Sequence, residues 1–339
     1  MEQPPIDPWL GTLQVGVFLA SLIFWVQLIG LWLRRGALLE YEPRKPVPWG
    51  PIAIVPAVAL VLLALLSALM ADAAHDVPID PSVAAQNLLA SMFLQAMLTA
   101  LVLGIAVLSN ATAFDLGLRP SGRNMARDII IGLAACLAAV APVHAVQGLM
   151  LYLLEQEDPS HHPLVKMITR GEPHFGMLLL ATLAAVVVAP ICEEVIYRLM
   201  LQGWLEKWED ERLGWRAASI ASANEGNSAY EFSEELNDEV RMTNDESPEL
   251  SPPSISAAPP RRGVAGLPHG WFPILVGSAL FAAAHFGYGP EPVPIFLLAL
   301  ILGYVYQRTH CIVPCIVAHA LFNLLTMIAL WRMVFHAAE

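Results

Sequence analysis

The chain has 339 residues, 56% of them hydrophobic and 14% charged, with a mean hydropathy of +0.57 and a formal net charge of −12. Soluble domains carry roughly 25% charged residues, so the composition excludes a soluble globular protein. It points to an all-α, polytopic integral membrane bundle.

Eight apolar segments reach or approach the length that crosses a hydrocarbon core of about 30 Å. In chain order they are Leu13–Leu33, Ile52–Ala71, Leu88–Ser109, Ile129–Leu154, Met177–Leu201, Phe272–Phe286, Val293–Tyr306 and Ile312–Trp331. The sixth and seventh are the shortest. The N-terminus carries Glu2 and Asp7 without a basic run, and Arg34 and Arg35 follow the first span. That pattern is expected of a retained anchor helix rather than a cleaved signal peptide.

Basic residues orient membrane helices. Arg34, Arg35, Arg44 and Lys45 lie in the first loop, Arg119, Arg123 and Arg127 in the third, and Arg308 in the seventh, whereas Asp72, Asp76 and Asp80 lie in the second. Odd-numbered loops are therefore expected in the cytoplasm of a cell-membrane protein with both termini outside. Lys166 and Arg170 in the fourth loop run against that rule.

Residues 1–175 form an N-terminal four-helix membrane region, residues 176–205 a helix of their own, and residues 271–339 the remaining helices. Between them, residues 206–270 read as an acidic, Ser/Pro-rich cytoplasmic loop. Glu206 to Arg262 holds 13 acidic against 6 basic residues, and so carries −7 of the net −12. From about Ala221 to Gly263 too little apolar surface is present to offset ordering entropy, and disorder is expected. Trp204, Trp208 and Trp215 mark a short interfacial helix before it. Either a solvated spacer or a partner-binding tail fits the rest. Cys136, Cys192, Cys311 and Cys315 fall in or beside spans, as buried small apolar residues do. Cys311 and Cys315 lack the second pair that a zinc site needs.

Glu193, Glu194 and Arg198 interrupt the fifth span. Histidines apart, no other span carries an ionisable residue in its interior. Such residues cost several kcal/mol at bilayer depth and mark functional sites by default. Residues one apart on a helix point about 100° away from each other, and residues four apart are neighbours. Glu194 is therefore expected to pair with Arg198, and Glu193 to face a different spot as a working carboxylate. The sixth span carries Phe281-Ala-Ala-Ala-His285 and the eighth His319-Ala-Leu-Phe-Asn323, both at one-turn spacing. Counting about 1.5 Å of rise per residue from the cytoplasmic ends puts Glu193 roughly 15 Å deep, His285 roughly 20 Å and His319 roughly 10 Å. These groups are expected to meet in a cavity open to the cytoplasm.

A glutamate and a histidine sharing a water can deprotonate it, and a second histidine with an asparagine can donate to an oxyanion. That combination hydrolyses an amide. Glutamate with two histidines also ligates catalytic zinc, although no His-Glu-x-x-His helix is present, and both chemistries stay open here. Gly-x-Ser-x-Gly is absent.

The ordered motifs Glu-Glu-x-x-x-Arg, Phe-x-x-x-His and His-x-x-x-Asn, each on its own helix, resemble the CAAX prenyl protease 2-like family, intramembrane glutamate endopeptidases whose bacterial members include bacteriocin-processing types. The resemblance covers about Leu178 to Leu330. It implies that Glu193 is the general base acting with His285 on water, that Glu194 and Arg198 support the site, that Phe281 shapes it, and that His319 and Asn323 form the oxyanion pocket. It implies no cofactor, with zinc the alternative, and as partners a membrane-associated protein or peptide, prenylated or not, among membrane lipids and with no nucleic acid. The long acidic insert departs from the family pattern and is expected over the cytoplasmic entrance. A non-catalytic immunity or scaffold protein, and a transporter using Glu, Arg and His as a proton relay, are the competing classes.

Overall fold

The computed structural model describes residues 8–42, 44–72, 81–118, 122–154, 175–212, 270–286 and 291–336. Among these residues there are helices and no strand. The helices are α1 Pro8–Arg35, α2 Ile54–Asp72, α3 Pro81–Leu108, α4 Gly122–Leu153, α5 Phe175–Arg212, α6 Phe272–Ala283, α7 Pro292–Thr309 and α8 Ile312–His336. Seven are long and apolar enough to cross a membrane, and the protein is a multi-pass helical membrane protein. The sixth segment is the exception. Its helix has 12 residues, about 18 Å of rise, well short of a bilayer. The disorder expected near 221–263, and Trp215, lie outside the described residues.

The core gathers where α2, α4, α5, α6, α7 and α8 meet, around Trp49, Ile196, Tyr197, Met200, Phe281 and Tyr306. Small residues permit the approach of α4 to α8. A Cβ on Gly132 would lie 2.7 Å from Val317 Cβ and 2.8 Å from the Pro314 carbonyl. Outer faces are apolar, as lipid contact requires: Ile23, Val26 and Leu33 of α1 are all exposed.

The outermost helix, α1, is held by a defect in α4. Pro142 sits inside α4 and has no N–H to give the Ala138 carbonyl four residues back. Trp25 Nε1 donates to that carbonyl at 2.9 Å. One residue earlier, Ser21 Oγ inserts into the ladder, accepting from Ala141 N at 3.0 Å and donating to the Leu137 carbonyl at 2.5 Å. Ser21 is fully buried. The proline thus creates polar needs in an apolar medium, and α1 meets them.

The fifth span continues to Arg212, so Trp204 and Trp208 extend the same helix rather than starting a separate one. At this end Arg44 bonds the Tyr306 hydroxyl at 2.8 Å and Glu206 at 3.0 Å, Arg308 Nε donates to the Leu39 carbonyl, and Arg127 pairs with Glu42. The basic residues of the first, third and seventh loops therefore share one end of the bundle.

Candidate active site

The fifth helix is irregular where its charges lie. Residues Ala184–Val188 and Val195–Gln202 are π-helical and flank an α-helical turn, Ala189–Glu194. Insertions of this kind are frequent at functional sites. Pro190 explains part of the first one. In the π register Ala189 N–H bonds the Ala184 carbonyl, so the Ala185 carbonyl loses its usual donor, and the next candidate, Pro190, has no N–H. Asn323 Nδ2 of α8 supplies the missing bond at 2.7 Å.

Glu194 and Arg198 are completely buried, with Arg198 Nε 3.3 Å from Glu194 Oε2. The pair read from four-residue spacing is present. Glu194 also does something the spacing did not reveal. Its Oε1 accepts from His319 Nδ1 at 2.9 Å, which fixes that ring and turns Nε2 toward Glu193, 3.9 Å from Oε2. Both carboxylates therefore reach one imidazole, from its two nitrogens. The expectation that Glu193 and Glu194 face separate spots holds for the start of their side chains. It fails at their ends, because α8 places a ring between them.

Phe281, 1% exposed, is the hub of the arrangement. Its ring lies 5.1 Å from that of His285, 5.6 Å from that of His319 and 5.2 Å from that of Tyr197, with the Arg198 guanidinium 5.1 Å from its centroid. His285 lies in the turn just past the end of α6 and donates from Nδ1 to the Phe281 carbonyl at 2.9 Å. A carbonyl only accepts, so the neutral ring has its lone pair on Nε2.

Glu193, His285, His319 and Asn323 line one cavity of about 870 Å³, together with Tyr197 and Phe281. Sequence reading also missed polar lining residues, among them Glu291, His144 and Gln147. His144 stacks on Phe322, next to Asn323, at 5.6 Å. It lies two residues beyond Pro142, so a histidine beside a proline within an apolar run was the available signal. Among the described residues no three His, Cys, Asp or Glu side chains are grouped to hold a metal ion. His319 Nδ1 is already engaged by Glu194.

The direction of the cavity differs from expectation. Its lining runs from Glu193, Phe281 and His319 toward Leu13 of α1, Ser67 of α2, Leu88 of α3, Gln147 of α4 and Ala181 of α5. All of these lie in the halves of their helices away from Arg35, Arg44, Arg127 and Arg308. The cavity therefore occupies the half of the bundle opposite the basic end. Depth counting located the groups along the helices, but could not say on which side of them the helices splay apart. The start of the acidic insert, Glu206 to Arg212, sits at the basic end and not over the cavity.

Residues 175–224 and 261–325 match the sequence model of the family described as Rce1-like, type II CAAX prenyl endopeptidase. The matched segments contain all seven residues of the three motifs. No curated protein and no solved structure matches the chain.

Proposed function

We propose that the chain, whose residues 175–224 and 261–325 match the model of the Rce1-like family, type II CAAX prenyl endopeptidase, is a glutamate-dependent intramembrane endopeptidase. Its substrate in this reading is a membrane-associated protein or peptide. The observation that carries the proposal is the line Arg198, Glu194, His319, Glu193, which ends in a cavity, with only Glu193 of the two carboxylates lining it.

Glu193 takes a proton from a water held between it and His285. The water oxygen forms a bond to the scissile carbonyl carbon, and the carbonyl oxygen becomes an oxyanion. His319 with a proton also on Nε2 donates to that oxyanion, and the Asn323 N–H not used by Ala185 is the second donor. When the C–N bond breaks, the proton on Glu193 passes to the departing amine, so the step balances as addition of one water. Glu194 and Arg198 act through His319 by fixing its orientation. No metal is required by this scheme.

In the orientation that the basic loops favour, with both termini outside a cell membrane, the cavity opens to the outer face. The insert is then cytoplasmic and remote from substrate entry.

Comparative proteomics of membranes holding the wild-type protein or Glu193→Gln tests the reading. Precursors that accumulate uncut only in the variant support it. Identical membrane proteomes would count against a peptidase and favour a scaffold.

A further inference from the structure

The mechanism leaves one cavity carboxylate unused. Glu291 precedes the first residue of α7 and lines the same cavity as Glu193, His285 and His319. A glutamate in the N-cap position would ordinarily satisfy its oxygens on the N–H groups of the next two or three residues. Here the sequence is Glu291-Pro-Val-Pro, so the first and third helical positions have no N–H. Ile295 N–H is already committed to the Glu291 backbone carbonyl at 3.1 Å. The side chain makes no cap hydrogen bond. Among the described residues no hydrogen bond or ion pair reaches its carboxylate.

Two further observations say what the carboxylate is suited to. The lining contains Glu193 and Glu291 but, among the described residues, neither lysine nor arginine, so no permanently charged cation among them balances the two carboxylates. Glu291 is half-buried, and loss of solvent raises its carboxyl to about 7. A carboxylate in that setting is stabilised by any cation that enters beside it. It also stands immediately before the first residue of α7, at the end of that helix away from Arg308.

We infer that Glu291 is a specificity residue, whose carboxylate binds a lysine or arginine side chain of the substrate peptide on one side of the scissile bond. The inference rests on the peptidase reading, since the cation is supplied by a peptide.

The test is binding, kept separate from cleavage. Purified Glu193→Gln protein, which lacks the other cavity carboxylate, is incubated with a decapeptide library acetylated at the N-terminus and amidated at the C-terminus. Bound peptides are eluted and sequenced, so neither terminus can supply the charge. The expected result is about tenfold enrichment of Lys and Arg at one position, the factor corresponding to about 1.4 kcal/mol. Adding Glu291→Gln should abolish the enrichment, and adding Glu291→Lys should turn it toward Asp and Glu. No basic enrichment, or the same enrichment without the carboxylate, overturns the inference. Failure of the base assignment looks different: wild-type and Glu193→Gln proteins would then cleave alike, while the bound pool still followed the charge at residue 291.

Discussion

Replacing Arg198 by methionine keeps the unbranched stem of the side chain and leaves the Glu194 carboxylate buried without its guanidinium partner. At 3.3 Å and an effective dielectric constant near 20, the lost attraction is about 5 kcal/mol. Part of it is offset because the desolvated arginine is also gone. Breaking one partner of a buried pair generally costs about 3–5 kcal/mol, and that is the stability loss expected for Arg198→Met. Glu194→Gln should lose a similar amount, now with Arg198 left uncompensated. The double variant carries no buried charge at either position, so it should be more stable than the sum of the two losses predicts by about 2–3 kcal/mol. Reversible denaturation in mild detergent measures all three proteins. A coupling below about 0.5 kcal/mol, typical of exposed pairs, would refute the account of Glu194 and Arg198 as an interdependent support. Activity should separate the two single variants. Arg198→Met retains the carboxylate that holds His319, while Glu194→Gln loses the charge beside Nδ1 and should fall at least about a hundredfold in kcat.

Ser21→Ala removes the hydroxyl that joins Leu137 and Ala141 across Pro142, and should lower stability by about 1–2 kcal/mol in the same denaturation assay. An unchanged midpoint would mean that α1 is not held by this insertion. Gln147→Cys places a thiol in the cavity lining. In intact cells a membrane-impermeant maleimide should label it from outside, and labelling only after permeabilisation would reverse the assigned orientation. Chelator treatment should leave cleavage unchanged, whereas loss of activity restored by zinc would favour the metal-dependent alternative.

The parts of this molecule that depend on near neighbours were legible in its sequence. Span positions follow from the length of apolar runs, and Glu194 with Arg198 follows from one helical turn. What escaped was set by residues far apart in the chain. His319 lies 125 residues from Glu194, and no periodicity reports that α8 brings its ring between two carboxylates. Asn323 reads as a free amide in the sequence, yet one of its N–H groups serves a carbonyl stranded by Pro190 and the π turn. Nothing in the fourth apolar run signals that Ser21 and Trp25 of α1 serve the carbonyls and N–H groups around Pro142. The apolar run of the sixth segment is long enough to suggest a span because it continues past Ala283, where the helix itself ends. Glu291 was hidden for a different reason: a glutamate before a Pro-Val-Pro helix start reads as a loop residue until the cavity beside it is seen.

The assignment of Glu193 as the group that activates water is tested most directly in proteoliposomes. Purified wild-type and Glu193→Gln proteins are each given a precursor that accumulates uncut in variant membranes, and the new peptide ends are quantified. The account predicts a loss of at least about a thousandfold in rate for Glu193→Gln, with an unchanged melting temperature. Cleavage at the wild-type rate by a folded Glu193→Gln protein would contradict it.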